Sequence, residues 1–79
     1  MTQEPTQKQR DYLSSLVMNS KRSRGTSIEL DKAAQELGYE TWDEAPMSRK
    51  VVSCLIDIYL GKATAGLYIW AVRQELAAA

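Results

Sequence analysis

The strongest nucleophile in this chain is a single thiol, Cys54, and nothing in the sequence is suited to activate it. An activated cysteine needs a neighbouring base, most often histidine, and there is no histidine among the 79 residues. The same absence removes the commonest metal ligand and the commonest general base. Cys54 stands beside Leu55 and Ile56, so it reads as a small core residue, and a lone cysteine makes no internal disulfide. Carboxylates are plentiful, but pairs such as Asp43-Glu44 are adjacent in a turn-forming stretch and lack metal-ligand spacing. In Gly61-Lys62-Ala63-Thr64 a phosphate loop would need its earlier glycine at Ile56 and its magnesium-binding hydroxyl at Ala63, so this tetrad is a helix stop. The sequence predicts no catalytic, metal or cofactor site and a protein that works by binding.

Two constellations could carry binding. Lys21, Arg22 and Arg24, set among serines before Gly25, form the basic cluster. Together with Lys8 and Arg10, and with Arg49 and Lys50, they would face phosphates if the fold gathers them; otherwise they are a solvated loop with scattered charges. No aromatic residue interleaves the cluster, so base stacking is weakly supported. The opposite feature is Tyr39, Trp42, Asp43 and Glu44, an aromatic pair in an acidic stretch. An exposed Trp42 would be a protein-binding anchor; the bland reading, favoured by a core short of large side chains, folds it back as a lid. Trp70 raises the same question. Residues two apart on a helix point in different directions, so one of Tyr68, Ile69 and Trp70 is expected at the surface or in a contact.

Four helical segments must position these residues. Thr6-Gln7-Lys8-Gln9 fits a capping box, and Tyr12, Leu13, Leu16 and Val17 then make one apolar stripe, predicting a helix from about Gln7 to Asn19. The stretch 19–25 has no apolar residue and reads as a loop. A second capping box, Thr26-Ser27-Ile28-Glu29, opens a helix whose Leu30, Ala33, Ala34 and Leu37 repeat at helical spacing before Gly38. Tyr39 to Pro46 is a connection with at most one helical turn. Ser48 is the N-cap of a third helix, with Val51, Val52, Leu55, Ile56, Tyr59 and Leu60 as its apolar stripe and Gly61 as its stop. The last segment, Thr64 to about Leu76, contains the β-prone run Leu67 to Val72, but strong helix formers follow and no second strand is on offer, so it too reads as helix. Leu30 to Tyr39 also has the pattern of the first half of a helix-turn-helix, except that Pro46 delays the next helix to Ser48.

Residues 6–16, Thr-Gln-Lys-Gln-Arg-Asp-Tyr-Leu-Ser-Ser-Leu, resemble the opening T-x-K-Q-x-x-Y-[LI]-x-x-L of a small helical domain found in actinobacterial and phage proteins of unknown function. A similar segment is appended to some phage single-strand annealing proteins. That domain closes with L-[ST]-K-x-E-A-S-x-L-I-D-x-L, to which Met47 to Leu60 is similar in register, with Val51 in place of the acid and Val52 in place of the alanine. The resemblance implies a phage or mobile-element setting near nucleic-acid processing, and no active site.

A chain of this length, with a hydrophobic fraction of 44%, makes one small domain and must spend nearly all its large apolar side chains on folding. Ten basic and ten acidic side chains give no net charge, against a surface drawn as a whole to nucleic acid. No secretory or membrane-spanning pattern is present, so a cytoplasmic protein is expected. The expectation is an all-α, compact bundle of four short helices, residues 1–79 forming one domain with 1–5 a flexible lead and 77–79 a fraying end. Its expected role is a phage-type or mobile-element-type accessory protein that docks on a protein partner in nucleic-acid machinery and modulates or inhibits it. An anti-defence inhibitor of the anti-CRISPR kind is one concrete form. The alternative is direct DNA or RNA binding through Lys21, Arg22, Arg24, Arg49 and Lys50.

Overall fold

Thr6 starts the first helix as its hydroxyl predicts. In the computed structural model, which describes residues 4–19 and 23–78, Thr6 Oγ1 accepts the Gln9 N–H at 3.1 Å while the Gln9 side-chain oxygen accepts the Thr6 N–H at 3.0 Å. Helix α1 then spans Gln7–Asn19. Helix α2, Ser23–Glu36, departs from expectation. It begins inside the stretch read as a loop, so Ser23, Arg24 and Gly25 are helical and Thr26 opens no capping box. Ser27, half-buried, is held instead by the Tyr59 hydroxyl at 2.6 Å, which fixes this turn against the bundle. Upstream, Gly25 keeps an ordinary φ and meets open space, so nothing stops the helix there.

Two glycines end helices in the same way. Gly38, at φ 96°, donates to the Gln35 carbonyl at 3.1 Å while Tyr39 donates to Ala34 at 2.9 Å. Gly61, at φ 81°, donates to Ile58 at 3.1 Å while Lys62 donates to Asp57 at 2.9 Å. Both are Schellman closures, in which a left-handed residue lets two orphan carbonyls find donors. Between them, Trp42–Glu44 forms a single 3-10 turn. Ser48, itself buried, caps α3 by accepting the Val51 N–H at 3.2 Å, and α3 spans Arg49–Tyr59. With α3 starting only at Arg49, α2 and α3 are not a helix-turn-helix. Helix α4 spans Ala65–Ala78, so the β-prone run 67–72 is helical.

The fold is therefore all-α, a bundle of four helices among the described residues, none of them long and apolar enough to cross a membrane. Helix α3 is the centre, packed on one side by α1 and on the other by α4, while α2 lies chiefly on α4 and α1. That double contact widens and turns the buried arc of α3. Cys54 and Ile58 join Val51, Val52, Leu55 and Tyr59 inside, whereas Ile56 is only half-buried and Leu60, expected in the stripe, is exposed. On α1, Leu13 is buried and Tyr12 is exposed for the same kind of reason: one narrow face meets the bundle. Helices α2 and α4 pack together, and the small side chains Ala33 and Ala34 of α2 and Ala71 of α4 are all buried. Truncating a fully buried anchor such as Leu55 to alanine should cost about 2–5 kcal/mol. The radius of gyration, 11.6 Å, is what close packing gives a chain of this length.

Candidate docking site around Trp42

Trp42 is tied to three helices at once. Its backbone N–H donates to Asp31 Oδ1 on α2 at 3.0 Å, and its carbonyl accepts the Tyr68 hydroxyl of α4 at 2.9 Å. Its ring stands edge-on to Tyr59 of α3, with centroids 6.0 Å apart at 63°. The indole is half-buried against the core, so the lid reading describes its packing, yet part of the ring remains open to solvent. Nearby, Tyr39 is half-buried, while Asp43 and Glu44 are exposed. Asp43 accepts the Thr41 hydroxyl at 2.5 Å and Glu44 accepts the Glu40 N–H at 3.3 Å, which holds the acidic turn in one shape.

The tyrosines beneath this turn stay protonated. Burial, followed by Tyr39, Asp31 and Asp43, pushes the Tyr68 hydroxyl up to about 12. Burial also raises Tyr59, partly offset by the hydrogen bond to Ser27, with Asp31 and Asp43 adding to the rise. Both phenols therefore remain hydroxyls at neutral pH, and Tyr68 keeps donating to Trp42.

Beside the turn runs a groove of about 340 Å³ between α1 and the start of α3. Leu13, Met47 and Val52 give it an apolar floor, and the Trp42 ring and Pro5 continue the apolar lining. Arg10 stands on the α1 wall and Asp43 on the wall of the 3-10 turn. Both side chains are exposed, and neither has an ionic partner among the described residues. The volume lies at the lower end of the roughly 300–1,000 Å³ typical of ligand pockets, enough for one or two large apolar side chains. Arg10 was legible only as a scattered cation and Leu13 only as a core residue; nothing local in the sequence joins them to Trp42 and Met47.

The other predicted binding residues fall elsewhere. Trp70 is 49% exposed on the face of α4 opposite the buried Tyr68, Ala71 and Val72, so it is the member of its trio that reaches the surface. The Lys50 ammonium lies 5.3 Å from the Trp70 ring centroid, a cation–π contact joining the first turn of α3 to α4. Arg49 and Lys50 are exposed at that helix start. Arg24 is exposed in the first turn of α2, one turn before the Ser27 that meets the last residue of α3, whereas Arg49 begins α3 about 15 Å of helix rise earlier. Lys21 and Arg22 lie outside the described residues. Cys54 is buried, and burial, then Asp57, push its thiol up while Lys50 pulls it down. No group of three or more potential metal ligands converges among the described residues. Comparison with protein-family models, curated proteins and solved structures finds no match for this chain.

Proposed function

We propose that this protein is a non-enzymatic docking module that binds a protein partner through the Trp42 groove. The observation that carries the reading is an apolar groove rimmed by two exposed charges that have no ionic partner among the described residues, beside a turn bonded to α2 and α4. Such a surface offers an apolar centre with a polar rim, the anatomy of an interface. A thiol that is buried and raised argues against Cys54 as a nucleophile. The resemblance to a phage and actinobacterial domain supports a setting in which the partner belongs to nucleic-acid machinery that the module modulates or inhibits.

The test is capture from host lysate by the tagged protein, with half of each sample treated with nuclease. The reading expects protein partners that survive nuclease and are depleted when Asp43→Lys or Arg10→Glu is used as bait. Partners that vanish with nuclease treatment would overturn it.

A second reading, direct nucleic-acid binding, is favoured by one observation, the Lys50 ammonium over the exposed Trp70 ring. It sets a cation beside a π-face, the pair of features that unpaired bases and their phosphates use, with Arg49 adjacent; Arg24 lies toward the other end of α3, and Lys21 and Arg22 lie outside the described residues. It predicts single-strand binding that weakens steeply with salt and is lost in the Trp70→Ala and Lys50→Ala variants.

A further inference from the structure

The geometry points to the chemistry of the groove's occupant: a peptide segment of a partner protein that carries a large apolar anchor with an acidic residue on one side and a basic residue on the other. This inference rests on the docking reading and adds the charge pattern of the partner. The argument starts from the two walls. Arg10 comes from α1 and Asp43 from the 3-10 turn, and both line the same slot as Leu13, Met47 and Val52, so opposite charges from two elements border one apolar surface. No ion pair joins them to each other or to any other charge among the described residues. An occupant with two acids would meet Asp43 as a like charge, and one with two bases would meet Arg10 so; only a mixed pair satisfies both walls. The anchor supplies the affinity by displacing water from the half-buried Met47, Pro5 and Trp42, and the two charges supply the selectivity.

The experiment uses the full chain and three labelled synthetic peptides that share one Leu-Phe anchor. The anchor is flanked by one glutamate and one lysine, by two glutamates, or by two lysines. Fluorescence anisotropy at low salt should show the mixed peptide binding the wild type roughly fivefold or more tightly than the others. Arg10→Glu should shift the preference to the two-lysine peptide and Asp43→Lys to the two-glutamate peptide. Both positions are exposed, and thermal melting by circular dichroism identifies any variant that fails to fold. In NMR spectra the mixed peptide should move the Met47 methyl and Trp42 indole signals while leaving the Trp70 indole in place. Equal affinities for the three peptides, no binding of any, unchanged preferences in both folded variants, or shifts centred on Trp70 would each overturn the inference. So would a groove filled by a second copy of the chain, seen as dimerisation that the mixed peptide does not reverse. A nuclease-resistant lysate partner indifferent to both charge reversals would overturn the mixed-charge pattern yet leave a protein-docking role standing.

Discussion

At the scale of single residues, the Tyr68 hydroxyl holds the Trp42 turn against α4. Replacing it by phenylalanine keeps the buried ring and removes one bond to a half-buried carbonyl, so Tyr68→Phe should cost about 1 kcal/mol. The check is a urea titration in which the midpoint falls and the slope is unchanged. The same hydroxyl dictates a pH response. Below about pH 10 the phenol is neutral in both folded and unfolded chains, so its contribution is complete there. Above that, the unfolded chain ionises first, because the folded one holds its proton up to about 12, and stability falls across that interval. Tyr59, also raised, acts in the same direction, so Tyr68→Phe should soften the alkaline loss without abolishing it. A tyrosinate absorbance titration of the native chain should show a late-titrating phenol that is missing from the variant.

At the scale of elements, the glycines separate into two kinds that respond oppositely to alanine. Gly38 uses its left-handed φ of 96° to close α2, so Gly38→Ala should cost about 1 kcal/mol. Gly25 and Gly66 sit in first turns at ordinary φ; a methyl group would meet open space at one and only Thr64 Oγ1 at 3.5 Å at the other. Alanine at either should stabilise by about 0.5 kcal/mol, read as a raised melting temperature. These local signals also explain what could be read from the sequence. The Thr6 box, the Ser48 cap, both glycine stops and the single turn after Thr41 depend on neighbours a few residues apart, and all are where their chemistry puts them. The early start of α2 was not legible, because the Thr26 capping box is a local pattern, whereas the turn that contains it is fixed against the bundle by the hydrogen bond between Ser27 and Tyr59, 32 residues apart. The rotated face of α3 was hidden for a similar reason: a stripe drawn from one helix knows nothing of a second neighbour. Of the binding residues, the exposure of one of Tyr68, Ile69 and Trp70 followed from helix geometry. The meeting of Lys50 with Trp70, and of Arg10 with the Trp42 turn, needed the tertiary fold.

For the molecule as a whole, equal numbers of cations and anions coexist with no ion pair among the described residues. Among the described residues stability then rests chiefly on apolar burial, caps and the hydroxyl bonds to Ser27 and Trp42, none of which salt screens strongly, while the charges that take part, Asp31 at the Trp42 N–H and Lys50 at the Trp70 ring, each act singly. The melting temperature should therefore change by about 2 °C or less between roughly 20 mM and 0.5 M sodium chloride. A larger drop, measured by calorimetry, would show that charge attraction holds the bundle after all. The placement of the two tryptophans has one more result. Trp42, half-buried and edge-on to Tyr59, and Trp70, half in water beneath an ammonium group, occupy unlike surroundings on different faces. Their emission bands should separate accordingly, and iodide, drawn by the Lys50 charge, should quench Trp70 first. The native chain is thus its own two-channel optical sensor: whatever covers the groove dims or shifts one channel, and whatever covers the outer face of α4 alters the other.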